Sequence, residues 1–211
     1  MKIVIPARKN SKGLPFKNRK LLDFTLGGIP KKYLENTFIS TDDEVIKEKC
    51  KNICNIHNRS EDNSRDETST LSLVKEIKED LCFTSEEKIV MLYLTYPERS
   101  FEEVEKAYNF FIEKDLQSLL CKKQLKISPF LCMYDLGQGK GEQIIKHDLY
   151  RRQDYKKCFE ISHYICIFKA GEIQKLNNNM YNSDTFFYEI EDRIDVDDKQ
   201  DLERFIKNVK N

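Results

Sequence analysis

Short apolar runs alternate with amphipathic stretches along most of the chain. Ile3-Val4-Ile5 opens the series and reads as a buried strand. Thr37 to Ser40, Ile53 to His57, Lys88 to Leu94 and Gln117 to Cys121 repeat the signal, and Ile165 to Phe168 adds another apolar strand. Lys88 to Leu94 is the most strand-like of these and predicts a central strand covered on both faces. Helical periodicity fills the gaps. Asp43 to Lys51 follows a natural cap at Thr41 or Asp42. Asp66 to Ser69 leads into a helix that runs to about Leu81, with Leu71, Val74, Ile77 and Leu81 on one stripe. Ser100 caps a helix to Lys114, and Lys199 to Val209 forms a last one. Gly27-Gly28 and Pro30 are expected to break any long helix after Lys20, leaving a short one from Pro30 toward Glu35. Strand and helix in alternation imply a Rossmann-like three-layer α/β/α sandwich with a mostly parallel sheet.

The first strand runs into a loop whose chemistry stands out. Arg8, Lys9, Lys12 and Lys17 crowd into it, with Ser11 and Gly13 between them. Backbone N–H groups of such a turn make an anion-binding concavity, glycine allows close approach, and arginine forks onto phosphate oxygens. Ligands of open α/β sheets bind outside the carboxyl ends of the strands, where this loop falls. A solvated basic loop is the plainer alternative. Neither the glycine spacing of a Walker loop nor that of a dinucleotide fingerprint is present.

Composition narrows the classes. The 211 residues suit one α/β domain. Charged residues make up 34% and cancel to zero formal charge, so nothing global points to nucleic acid and local placement decides. Seven cysteines without a CxxC pair, in a chain starting directly on a strand with no signal peptide, read as reduced thiols of a cytoplasmic protein. No apolar run approaches the ~20 residues of a membrane span. His57, His147 and His163 lack zinc spacing and read as surface or packing residues. From Lys122 to about Phe159 the pattern is irregular, and Gly137-Gln138-Gly139-Lys140-Gly141 reads as a hairpin tip rather than a phosphate loop.

Near the end, Asp195 and Asp197 alternate on an extended segment and so share a face. Two such carboxylates repel unless a cation lies between them, and Mg2+ is usually held by one or two carboxylates with substrate phosphates. A helix cap before Lys199 is the alternative.

The string Ile-Pro-Ala-Arg, then Asn-Ser-Lys-Gly-Leu-Pro, then Lys-Asn at residues 5–18 resembles the N-terminal signature of the CMP-sialic acid synthetases, the acylneuraminate cytidylyltransferases. The resemblance implies that a sugar hydroxyl attacks the α-phosphate of CTP and pyrophosphate leaves. Arg8, Lys12 and Lys17 would then hold the triphosphate, with Ser11, Gly13 and Asn18 beside phosphate or base. Arg59 and a hydroxyl at Ser69 or Thr70 would bind the cytidine part or a phosphate. Asp195 and Asp197 match the family's metal pair. On the acceptor side, Thr95, Pro97 and Arg99 match a family motif, while Tyr93 and Tyr96 replace its Gln and Ser. Arg152-Gln153 resembles the family's Arg-Gln motif near the acidic sugar, and His163 stands in a second departure. The resemblance also implies a small dimerisation insertion within 122–160, a homodimer, and a first crossover trimmed relative to the family. Other readings are a cytidylyltransferase for a Kdo-like or phosphorylated acceptor, or a catalytically silent nucleotide-binding subunit.

Overall fold

A computed structural model describes residues 1–209. Nine strands form: β1 (Lys2–Pro6), β2 (Thr37–Thr41), β3 (Asn55–Asn58), β4 (Lys88–Met91), β5 (Ser118–Gln124), β6 (Met133–Gly137), β7 (Lys140–Gln143), β8 (Phe159–Lys169) and β9 (Phe186–Ile190). Seven of them make one sheet in the order β3-β2-β1-β4-β8-β5-β9, and β6 and β7 pair separately. Neighbours from β3 to β4 run parallel, as do β5 and β9. β8 is antiparallel to both β4 and β5. The fold is the Rossmann-like sandwich the alternation predicts, with β8 as its reversed strand. The strand order turns back between β1 and β4, and the crevice at such a switch point is where doubly wound sheets bind ligands.

The helices are α1 (Lys17–Gly28), α2 (Lys31–Leu34), α3 (Glu44–Cys50), α4 (Glu61–Ser64), α5 (Thr70–Asp80), α6 (Phe101–Glu113) and α7 (Lys199–Val209). Side chains of β1 alternate between two layers. Ile3 and Ile5 join Leu21 and Leu22 of α1, Val104 and Phe111 of α6 and Phe205 of α7. Val4 joins Leu73, Val74 and Ile77 of α5 on the opposite face. Burial in both layers explains why the strands read as continuous apolar runs.

Three expectations are corrected. A twelve-residue helix, α1, occupies the region where the double glycine was expected to prevent one. Leu21, Leu22, Thr25 and Leu26 recur at helical spacing and are buried, while Gly27 and Gly28 fall at the helix end, where their conformational cost matters least. Lys17 and Asn18 therefore belong to a helical first turn rather than to a loop. The cap of α3 is Asp43, not Thr41 or Asp42: its side chain accepts from Val45 N, while Asp42 accepts from Lys9 N at 2.7 Å and braces the basic loop. The central strand ends at Met91, short of Leu94, with one further bond from Leu92 N to Val4 O at 3.0 Å.

Within 122–160, β6 and β7 form a hairpin with every residue exposed. Its two central residues, Gln138 and Gly139, have φ of 55° and 74°, the backbone of a tight hairpin turn that favours glycine. Among the described residues no helix is long and apolar enough to cross a membrane.

Candidate active site

The β1–α1 loop, the segment before α5, the end of β4 and the segment before α7 meet around a cavity of about 490 Å³. Its size lies in the usual range for small-molecule sites. Of the residues singled out from the sequence, Arg8, Ser11, Lys12, Gly13, Lys17, Asn18, Arg59, Thr70, Tyr93, Thr95 and Asp197 line it.

The loop is tied in place by the backbone and by two side chains. Ala7 N donates to Ser40 O at 2.8 Å, extending the parallel ladder past β1. The buried Asn18 donates its side-chain N–H to Arg8 O at 2.8 Å, so that part of its amide is spent on the loop itself. Gly13 allows a close approach, though of protein rather than ligand. A Cβ there would lie 2.5 Å from the Asp197 carbonyl oxygen, nearer than real Cβ atoms come. Val196 N, donating to Thr95 O at 2.7 Å, secures the same segment against the end of β4.

Arg8, Lys12 and Lys17 each meet a carboxylate. Lys17 Nζ lies 2.9 Å from Asp197 Oδ1. Arg8 donates to Asp66 Oδ1, and Lys12 Nζ stands 3.4 Å from Asp66 Oδ2. Desolvation works to raise the Asp66 pKa, but the Arg8 guanidinium and then Lys12 outweigh it and hold the carboxyl below its ordinary range. Arg59 donates through Nε to Asn63 O at 2.6 Å, and burial lowers its guanidinium from the ordinary arginine value. Tyr93 packs edge-on against His163, with ring centroids 5.5 Å apart. Burial raises its hydroxyl well above the usual phenol range, with Thr70 beside it.

Asp195 and Asp197 differ in surroundings. Asp197 is open to solvent on the rim of the cavity, whereas Asp195 is half-buried and faces a neighbouring polar hollow with Arg193 and Asp201. Asp195 Oδ1 is shielded from solvent and finds no hydrogen-bond partner among the described residues. Burial raises its pKa and the Asp197 charge adds to this, while the nearby Thr95 and Tyr96 hydroxyls and Lys17 pull the other way. An orphaned carboxylate oxygen beside a second carboxylate fits a hard divalent cation.

Other candidates lie elsewhere. Ser69 caps α5, its hydroxyl accepting from Ser72 N, and does not line the cavity. Arg152 and Gln153 are exposed on a turn at Arg152–Asp154, and Arg152 lines a separate basic hollow with Lys126, Lys156 and Lys157. Sequence reasoning passed over Arg65, Asp66, Thr68 and Leu73 as lining residues. A charged residue in a polar loop carries no local mark of what it will face. His57, Glu76 and Asp80 also cluster. Their groups are engaged internally: His57 bonds Ser40 and Asp80, and Glu76 accepts from Ser60 and Asn63.

A basic cradle at the switch point of a doubly wound sheet is an arrangement by which α/β proteins hold phosphate groups. The chain belongs to the cytidylyltransferase family, whose model matches residues 2–183. It is 25% identical over 215 aligned positions to an N-acylneuraminate cytidylyltransferase of Streptococcus agalactiae serotype V, covering 94% of this chain and 51% of that protein. The chain thus spans about half the length of the curated relatives it matches. In fold it is similar to a CMP:2-keto-3-deoxy-manno-octonic acid synthetase solved with CTP, with a TM-score of 0.69 at 13% identity over 99% of this chain and 98% of that one. The 4-diphosphocytidyl-2C-methyl-D-erythritol synthase of Anaerococcus prevotii has a TM-score of 0.66, also at 13% identity, covering 100% and 98%.

Proposed function

We propose that this chain transfers CMP from CTP to the anomeric hydroxyl of a nonulosonic, sialic-acid-like sugar and releases pyrophosphate. The observation that carries the reading is the convergence of Arg8, Lys12, Lys17 and Arg59 on one cavity with Asp197 on its rim. The sugar hydroxyl attacks the α-phosphorus and gives up its proton to solvent, the bond from that phosphorus to the β-phosphate oxygen breaks, and its electron pair leaves with pyrophosphate. Such chemistry is driven by positioning and charge neutralisation more than by covalent help. Arg8, Lys12 and Lys17 bind the triphosphate and stabilise the leaving group, with Ser11 and the backbone at Gly13 beside them. Asn18, Arg59 and Thr70 flank the nucleoside, and Ser69 orients that side by capping α5. Tyr93 and Thr95 border the acceptor. Asp195 and Asp197 would hold Mg2+, which when bound neutralises phosphate charge and lowers the pKa of a bound hydroxyl.

Arg152 and Gln153 lie outside this cavity, so their part in acceptor binding is proposed to be played across a homodimer, in the neighbouring subunit's site. Exposed apolar side chains on that segment, among them Met133, Leu136 and Tyr150, support an association there. Seven free thiols fit a reducing, cytoplasmic setting. The aromatic pair of Tyr93 and His163 at the acceptor side favours a second reading, the same reaction on a Kdo-like acid or another acceptor.

The test is pyrophosphate release with Mg2+ and each of the four nucleoside triphosphates, against nonulosonic acids and Kdo-like sugars. Release with CTP and one acid is the expected result. Lys17→Ala and Asp197→Ala should each abolish it while the urea midpoint stays near the wild type. Wild-type turnover in either variant would overturn the assignment.

A further inference from the structure

Asp66 is placed where a phosphate group would be expected to sit. Its two carboxylate oxygens face two cations of the β1–α1 loop, Oδ1 toward Arg8 and Oδ2 toward Lys12, across a sequence separation of 58 residues from Arg8. A carboxylate and a phosphate present the same feature to a guanidinium fork, a pair of anionic oxygens. The Arg8 and Asp66 side chains are 27% and 30% exposed, so the contact is partly shielded from solvent.

The segment that carries Asp66 has few other ties to the basic loop. Thr68 donates to Asp62 O at 2.6 Å, Arg65 pairs with Asp62 at 3.0 Å, and Ser69 caps the helix that follows. All three bonds are local to residues 62–72. The ion pairs of Asp66 are what join this segment to Arg8 and Lys12.

Resting on the nucleotide reading above, we propose that Asp66 is an internal competitor, a carboxylate that a ligand must displace to reach Arg8 and Lys12. The ligand class that displaces it is a polyphosphate. A nucleoside triphosphate or pyrophosphate offers several anionic groups and outbids one carboxylate. A nucleoside monophosphate offers one and gains little by the exchange. After transfer the same carboxylate returns to the two cations and helps expel pyrophosphate.

The experiment is calorimetric titration of the full chain and of Asp66→Asn with CTP, CMP and inorganic pyrophosphate at one Mg2+ concentration, with Asp66→Glu as the variant that keeps the charge. Asp66→Asn should tighten CTP and pyrophosphate by about three- to tenfold, the order expected for a partly exposed ion pair, and CMP less, so that the CTP-to-CMP ratio widens. Asp66→Glu should move the three affinities back toward the wild type. In turnover, Asp66→Asn should be inhibited more strongly by pyrophosphate. Unchanged or weaker binding in Asp66→Asn, with normal binding by the wild type, overturns the competitor alone and leaves the nucleotide reading intact. A wild type that binds neither CTP nor pyrophosphate overturns both. Urea unfolding of each variant confirms that the loop change has not unfolded the chain.

Discussion

The carboxylate of Asp43 serves two neighbours at once. It accepts from Val45 N at 3.0 Å as the cap of α3, and it receives Arg19 Nε and Nη2 at 2.7 and 2.9 Å. Burial works to raise its pKa, but the Arg19 fork and the helix N–H groups win and keep it below the ordinary value. A carboxyl depressed in the folded state stabilises the protein above its unfolded pKa of about 3.9, and that contribution fades as pH falls through the folded value. Asp43→Ala should therefore lower stability by about 1–3 kcal/mol at pH 7, through loss of a cap and of a charge-assisted bond. The gap to the wild type should close in urea titrations taken below pH 4. Gly13→Ala acts through space rather than charge. Its Cβ would press on the Asp197 carbonyl, so the basic loop or the acidic segment must move. The expected result is a KM for CTP raised at least several-fold with a nearly unchanged urea midpoint; normal kinetics would show that the contact has no bearing on the site.

Elements divide into those the pattern announces and those it hides. β1 and β4 are apolar because both faces are covered, and that burial is written directly into Ile3-Val4-Ile5 and Ile89-Val90-Met91. α1 was hidden because its signal, Leu21-Leu22 with Thr25-Leu26, is short and ends on two glycines that weigh against a helix when position is ignored. The contact between the basic loop and Asp66 is long-range, and nothing in either segment specifies the other. The hairpin of β6 and β7 shows as irregular text because its strands pair only with each other and bury nothing. Replacing residues 133–143 by a two-residue turn should accordingly shift unfolding free energy by no more than about 0.5 kcal/mol, as for exposed changes elsewhere. If the proposed homodimer forms there, the same deletion should move the protein to the monomer position in gel filtration.

Across the molecule, charge is balanced in sum and unbalanced in place. Positive and negative residues number 36 each, yet Arg8, Lys12, Lys17, Arg59 and Arg65 gather at one cavity, against Asp66 and Asp197. A focused field of this kind acts on a charged ligand within about a Debye length, ~8 Å at physiological salt. Affinity for CTP should fall several-fold between 0.05 and 0.5 M salt even though the net charge is zero; a flat salt profile would mean that the paired cations contribute no net attraction.

The rim of the cavity is stitched from distant parts of the chain. Gly13 touches the Asp197 carbonyl and Val196 bonds to Thr95, so one side is nearly 200 residues from the other along the sequence. Contacts that close such large loops tend to form late in folding. During synthesis the basic loop leaves the ribosome before the acidic segment and waits through the making of the other six strands of the main sheet. A ligand that needs both segments can then be held only once the acidic segment has closed on the basic loop.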